Sequence, residues 1–415
     1  MLKIRSKILS TLAAALVSAG LVGAGAPTPA KAEGWTYNKA SFARYLKSMR
    51  SQAMRRGVSR SVVDRAFKNL RPNPEVLNLA AFQPEFKLTA WAYLDKTVSD
   101  VRIANGKQNY AERRALLDKL EARYGVPKRY IVAIWGLESR YGKRKGDLPV
   151  IQSLATLGYT GKRKRFGRQQ LIAALKILQR KDISLSQFTG SWAGAMGHTQ
   201  FIPTTYNAYA VDWTGDGTRD IWNSVPDALA STARYLKVSG WRKGEPWGEE
   251  VQIPRNFNTR HAGIKKRKPR RVSEWVRLGV KPIGGGRFRS SKRGAWLILP
   301  SGRRGPAFLV YRNFRTIMRY NNSVKYALAV SYLGDRIIGK PEFRTKWPRT
   351  GTPLMLAGRK ELQIYLTKLG LYSGEIDGAV GRETEKAIRE FQRSKGLKPD
   401  AYPSVELLNR IKSGA

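Results

Sequence analysis

Glu138 lies where a carboxylate is costly. It belongs to Ile131-Val-Ala-Ile-Trp-Gly-Leu-Glu-Ser-Arg-Tyr-Gly142, a stretch with the apolar content of a packed helix. Ile131, Ile134 and Glu138 are spaced by three and four, which puts them on one helical face, with Trp135 beside them. A carboxylate on such a face must either meet a cation or hold a proton. The first option makes Glu138 a structural group tied to Arg140 or another Arg. The second makes it a general acid, because an apolar wall disfavours the charged form and leaves a proton for a departing oxygen. The spacing leaves both open.

Two further stretches carry possible chemistry. Ser191-Trp-Ala-Gly-Ala-Met-Gly-His-Thr-Gln-Phe-Ile-Pro-Thr-Thr-Tyr206 is dense in small residues, which let a ligand or a neighbouring backbone come close. Ser191 and Gln200 offer hydrogen bonds suited to a sugar, and Trp192, Phe201 and Tyr206 offer stacking faces. The bland alternative is a helix junction packed through Gly and Ala. Asp212-Trp-Thr-Gly-Asp-Gly-Thr218 begins like a calcium loop, with oxygen donors at Asp212, Thr214, Asp216 and Thr218. Its twelfth position is Asn223, so the closing bidentate carboxylate is missing there, and Asp227 further on could serve instead. A structural Ca²⁺ and a simple Asp/Gly turn both fit. His198 and His261 are the two histidines and suggest neither a triad nor a zinc site. His198 reads as a packed or partly exposed residue rather than a catalyst.

The elements that must position these groups are mainly helical. Helical pattern runs through Ser41–Gly57, Ser59–Leu70 and a long stretch near Lys87–Ala122. It continues through 126–241, where Pro127 suits the opening of the helix that carries Glu138. Residues 249–311 read instead as short strands and loops, and they include the basic run Lys265-Lys-Arg-Lys-Pro-Arg-Arg271. That run is a solvated loop or a contact for an anionic polymer. Helix returns at Arg315–Arg336, and proline-punctuated residues 341–356 read as a linker. The last unit, 357–415, carries three apolar stripes: Leu362/Leu366/Leu369, Ala387/Ile388/Phe391 and Leu407/Leu408/Ile411. A small three-helix domain follows. The fold class is therefore mainly α, with a small β-rich insertion.

Charge and the N-terminus narrow the partners. Lys and Arg number 77 against 30 Asp and Glu, a net +47, so a polyanionic partner is expected. Residues 1–32 combine a basic start, an apolar stretch and Ala30-Lys-Ala32, the pattern of a cleaved secretory signal. A membrane anchor is the other reading, but the stretch is short for one. No Cys occurs, which excludes thiol catalysis, disulfides and Cys-ligated zinc. An exported chain meets little nucleic acid, so nucleic acid is set aside as a partner, as is stable membrane insertion.

Three separated blocks then agree. Trp135-Gly-Leu-Glu-Ser-Arg-Tyr-Gly142, Ala193-Gly-Ala-Met-Gly197 with Gln200-Phe-Ile-Pro203, and Arg319-Tyr-Asn-Asn-Ser-Val-Lys-Tyr-Ala327 resemble the lytic murein transglycosylases of the B type, over about residues 35–340. The resemblance implies a lysozyme-like catalytic region, 33–340, acting on the glycan strands of peptidoglycan without a required cofactor. It implies Glu138 as the single catalytic carboxylate, with Ser191, Gln200, Tyr235, Asn321 and Tyr326 in the cleft. It also implies a peptide-stem contact at Arg163, and a late Asp, Asp227, in the calcium loop. Residues 357–412, through Leu369-Gly-Leu-Tyr-Ser-Gly-Glu-Ile-Asp-Gly378 and Ala387-Ile-Arg-Glu-Phe-Gln392, look like a three-helix peptidoglycan-binding domain.

One carboxylate implies a lyase, since ordinary glycosidases use two. The expected reaction cleaves the MurNAc-β-1,4-GlcNAc bond and closes a 1,6-anhydro ring, in the periplasm at the cell wall. A non-catalytic wall-binding protein and a hydrolytic muramidase are the competing readings. The sequence fixes no oligomeric state.

Overall fold

The computed structural model describes residues 36–81, 88–264, 267–349, 351–378 and 380–414. The signal-peptide reading of 1–32 lies outside them. At the centre is the helix Lys128–Ser139, in which Tyr130 to Gly136 and Ser139 are all buried. A helix apolar on every side must be surrounded. Val324–Ile337 packs along it, with Asp100–Glu112, Val225–Val238 and Arg114–Tyr124 around it. The helices Val150–Tyr159 and Lys164–Arg180 pair with each other and extend the same core.

The helical pattern expected near 87–122 is broken into three helices, Ala90–Thr97, Asp100–Glu112 and Arg114–Tyr124. Side-chain caps cause the first two starts. The Thr89 hydroxyl accepts from the Ala92 amide, and the Ser99 hydroxyl accepts from that of Arg102. Ser and Thr favour this because their oxygens satisfy amides that a helix start leaves open. The breaks turn the chain around the central helix rather than past it.

Residues 248–310 hold a five-stranded antiparallel sheet, ordered Arg270–Arg271, Gly294–Ile298, Ala307–Val310, Gly248–Gln252, Lys281–Pro282. Its central register pairs Trp296 with Val310, Leu297 with Leu309 and Ile298 with Phe308. All four residues of Ala307–Val310 are buried, because the two faces serve two cores. Phe308, Val310, Trp296 and Ile298 join the main helical core. Leu309, Leu297 and Ala295 join a local core with Val272, Trp275 and Tyr311. Strand alternation thus welds the insertion to the helices.

The C-terminal unit has helices Leu356–Lys368, Arg382–Ser394 and Val405–Lys412. Leu362, Leu366, Ala387, Ile388, Phe391, Leu407, Leu408 and Ile411 form its core. Leu369, expected on the first stripe, falls past the helix end and is 48% exposed, while Leu354 and Tyr372 fill the core instead.

The segment read as a linker is pinned along its length. Phe343 stacks on Tyr332 at 4.2 Å between centroids and meets Phe308 edge-on at 4.7 Å. The Arg344 and Thr345 amides donate to the Glu250 carboxylate at 2.8 and 2.7 Å. Arg349 pairs with Asp95 at 2.7 Å, and the Tyr402 hydroxyl reaches the same carboxylate at 3.2 Å. One residue on, Lys96 pairs at 3.0 Å with Glu385, which is 1% exposed and also faces Arg389. Helix Ala90–Thr97 therefore grips the strap through Asp95 and the C-terminal unit through both residues. A charge pair this buried is costly to break from one side. In an Asp95→Ala/Lys96→Ala variant, limited proteolysis within 341–355 should accelerate about tenfold as the strap opens locally. Cleavage at the wild-type rate would show that these contacts do not hold the strap.

Candidate active site

The helix Lys128–Ser139 ends abruptly just after Glu138. Arg140, Tyr141 and Gly142 have φ of 51°, 59° and 86°. Three left-handed residues in a row are unusual, and each non-glycine one costs about 1–2 kcal/mol. The turn persists because its side chains are locked. Tyr141 packs edge-on against Trp135 at 5.6 Å, and its hydroxyl donates to the Arg102 carbonyl at 2.8 Å. A Cβ at Gly136 would lie 2.5 Å from the Tyr141 ring, and one at Gly142 would lie 2.3 Å from the His198 ring. Both glycines in Trp-Gly-Leu-Glu-Ser-Arg-Tyr-Gly thus have a steric reason.

His198 clamps the same end from the other side. The Trp135 indole donates to His198 Nδ1 at 3.0 Å, and the Ser139 hydroxyl donates to the His198 carbonyl at 2.6 Å. That hydroxyl also accepts from the Gly142 amide at 2.9 Å. His198 Nδ1 must therefore be an acceptor, with the ring neutral. Burial, aided by Lys145, pushes its pKa down to about 4.

Glu138 itself is half-buried. The Tyr326 hydroxyl donates to Glu138 Oε1 at 2.5 Å. Tyr326 is 2% exposed, and burial together with the Glu138 charge pushes its phenol well above the ordinary range. Tyr320 is raised likewise, by burial first and then by Glu138. Its ring lies parallel to Tyr326 at 6.5 Å, and its hydroxyl donates to the Thr199 carbonyl at 2.5 Å. Arg140, the structural partner considered above, faces Arg102, Arg144 and Asp377.

The Ser191–Tyr206 stretch forms the facing loop. Ser191 Oγ accepts from the Ala195 amide at 3.0 Å and the Ala193 amide at 3.3 Å, which leaves its proton to donate. Gln200 has φ 51° and donates from its amide nitrogen to the Lys145 and Gly197 carbonyls at 2.9 and 2.8 Å. Its Oε1, like Asn321 Oδ1, is buried without a hydrogen-bond partner among the described residues. Two unmatched acceptors are costly, and both belong to the residue set singled out from sequence.

Other expectations are placed differently. Tyr235 turns its hydroxyl to the Arg319 carbonyl at 2.6 Å and packs its ring on Tyr320, Tyr209 and Phe201. It offers structure rather than a free hydroxyl. Phe201 and Tyr206 are 2% and 0% exposed, so they are core and not stacking faces. Trp192 is half-buried, and the Arg163 guanidinium sits over it at 5.1 Å. Tyr320 was missed, although it directly precedes Asn321 in the third block.

The Asp212 loop is closed by its own amides. Asp212 accepts from Gly215 and Gly217, Asp216 from Thr218. Asp227, 0% exposed, accepts from Trp213, Thr214 and Asp220, and burial pushes its carboxyl up. Thr214 and Thr218 bond within the loop. The oxygen donors suit Ca²⁺ in kind, but among the described residues no three acidic or imidazole groups converge on a metal-sized point.

The described residues contain no helix long and apolar enough to cross a membrane. Residues 41–335 match the family model of the transglycosylase SLT domain, and 356–411 match that of a peptidoglycan binding domain. The chain is 31% identical over 258 residues to membrane-bound lytic murein transglycosylase B of Escherichia coli K12, covering 60% of this chain and 67% of that one. Among solved structures, SltB3 from Pseudomonas aeruginosa in complex with NAG-anhNAM-pentapeptide is 46% identical with a TM-score of 0.71, covering 89% of this chain and 99% of that one. Slt35 of Escherichia coli in complex with calcium is 27% identical with a TM-score of 0.61, covering 72% and 93%.

The His198 ring gives a pH dependence with a definite sign. Its pKa is lower folded than unfolded, so the unfolded chain takes up the proton first as pH falls. The stability it safeguards is complete above about pH 6.5 and declines toward about pH 4, by up to about 3 kcal/mol. Urea denaturation at pH 7 and pH 5 should show a smaller loss for His198→Gln than for the wild type. Equal losses would remove His198 from the account.

Proposed function

The chain belongs to the SLT-domain lytic transglycosylases, enzymes of peptidoglycan, and on that premise we propose that Glu138 alone carries the chemistry, as acid and then as base. The observation behind this reading is the Tyr326–Glu138 hydrogen bond in a cleft end fixed from several directions. Protonated Glu138 donates to the oxygen of the MurNAc-β-1,4-GlcNAc bond, and GlcNAc leaves with that proton. Positive charge develops at the muramic C1, where the substrate's own N-acetyl oxygen can stabilise it. The Glu138 carboxylate then takes the proton of the C6 hydroxyl of the same sugar. Its oxygen bonds to C1, the 1,6-anhydro ring closes, and Glu138 is protonated again. No water enters and no cofactor is needed.

Tyr326 serves this cycle as a permanent donor. A phenol held neutral by burial can steady the carboxylate when it forms and keep its orientation when it is protonated. Gln200 Oε1 and Asn321 Oδ1 are proposed to accept from amide or hydroxyl groups of the sugars, and Ser191 to donate. Such pairing would satisfy acceptors that are otherwise buried unmatched. Arg163, braced on Trp192, is proposed to meet a carboxylate of the peptide stem, and Tyr235 to supply a wall. For the Asp212 loop, a structural Ca²⁺ held by oxygens of Asp212, Thr214, Asp216, Thr218 and Asp227 remains the proposal, beside a turn closed by its own amides.

Glycan strands and peptide stems of peptidoglycan are the partners, and the C-terminal unit holds the enzyme on them. Acting there places the enzyme outside the cytoplasm at the cell wall, and we read the compartment as the periplasm. Mass spectrometry of digested sacculi tests the chemistry. The wild type should release 1,6-anhydro products, and Glu138→Gln should lower the rate by about a thousandfold or more. Reducing-end products from the wild type would mean hydrolysis and a second catalytic group. Tyr326→Phe should lower kcat about tenfold to a hundredfold with KM little changed, since it removes one charge-assisted bond to the reacting carboxylate. A rise in KM alone would make Tyr326 a binding residue instead.

A further inference from the structure

The basic run in the insertion has no role in the cleavage just described, yet it borders a cavity of about 360 Å³. Arg267, Lys268, Arg270 and His261 line it, between the indoles of Trp275 and Trp296. Arg267 and Lys268 are exposed and Arg270 is half-buried. Among the described residues, none of the three pairs with a carboxylate. Glu274, the acid nearest in sequence, is engaged with the Arg271 amide.

The walls are rigid. The Trp275 indole donates to the Ala295 carbonyl at 3.1 Å, and the Trp296 indole to the Arg267 carbonyl at 2.8 Å. The two rings are 2% and 3% exposed. Arg270 is held over Trp275 at 5.7 Å and contacts His261 Nδ1 at 3.4 Å. A fixed guanidinium with two exposed cations at the rim, and no paired acid among the described residues, is a receptor for an oxyanion. Its size sits at the low end of small-ligand sites, which suits a peptide terminus better than a disaccharide.

The cavity also has a structural route to the cleft. Arg315 lies over Trp296 at 5.1 Å, and its helix, Arg312–Tyr320, delivers Asn321. Asn321 follows Arg315 by six positions, about 9 Å of helical rise. A stem on the strand being cut is therefore within reach.

We propose that the cavity between Trp275 and Trp296 is a second anion site that takes a carboxylate of a peptidoglycan peptide stem, apart from the bond being cleaved. This rests on the peptidoglycan reading above. It also gives part of the +47 charge a specific partner.

The test reads binding without catalysis. The full chain, labelled with ¹⁵N at tryptophan, is titrated with a synthetic stem pentapeptide, with the same peptide amidated at its carboxylates, and with inorganic phosphate. The Trp275 and Trp296 indole signals should shift saturably with the free acid and not with the amide. Arg267→Ala/Lys268→Ala, at two exposed positions, should weaken that binding about tenfold or more. The variant's own indole spectrum, matching the wild type elsewhere, verifies its fold. Shifts that are absent, equal for acid and amide, or unchanged by the substitutions would overturn the assignment. Saturation by phosphate alone would overturn it in favour of a phosphate-bearing partner. None of these readouts depends on whether Glu138 makes anhydro products, so the two readings fail separately.

Discussion

The indole-to-imidazole bond between Trp135 and His198 fixes the helix end that carries Glu138, and the proton cycle proposed for that carboxylate requires it to hold its place between giving up a proton and taking one back. It ties the last turn of a buried helix to a loop sixty-three residues further on. Ser139 doubles the tie through the His198 carbonyl, and the left-handed Arg140–Tyr141–Gly142 turn fits only because Gly136 and Gly142 present no side chain. The strain of that turn is offset by packing of Tyr141 on Trp135 and by its bond to Arg102. Remove the neutral imidazole and both the turn and the carboxylate before it lose their reference point.

The second constraint is electrostatic. Glu138 meets the Tyr326 phenol, with Tyr320 behind it. Both Tyr320 and Tyr326 are held protonated by burial and by the Glu138 charge itself. A phenol offers a bond to either form. The surrounding stack of Tyr209, Tyr235, Tyr320 and Phe201 keeps these rings from rotating away.

Much of this was legible in the sequence. Glu138 on a helical face, the small-residue loop and the third block identify the residues that meet. The mainly helical class with a β insertion follows from periodicity alone. What stayed hidden depends on distant contacts. Tyr235 could not be known to turn toward Arg319, eighty-four residues away. Phe201 and Tyr206 have types that serve stacking and core equally well, and only burial decides. His198 read as packed or partly exposed; burial decides for the first, and its task becomes visible only with Trp135 across from it. Residues 341–356 have linker composition because prolines and charges suit any exposed irregular chain; Glu250 and Asp95, which pin them, lie far away in sequence.

That strap bears on how the enzyme meets a polymer. A catalytic unit on a slack leash samples every bond within its radius, so its anchor sets only how often cuts occur. Here Asp95 and Lys96 fasten strap and C-terminal unit to one short helix, and the separation between anchoring surface and cleft becomes a fixed length. With Glu138 in its proposed role, an enzyme built this way acts as a caliper: where the wall-binding unit settles sets which bond that carboxylate meets.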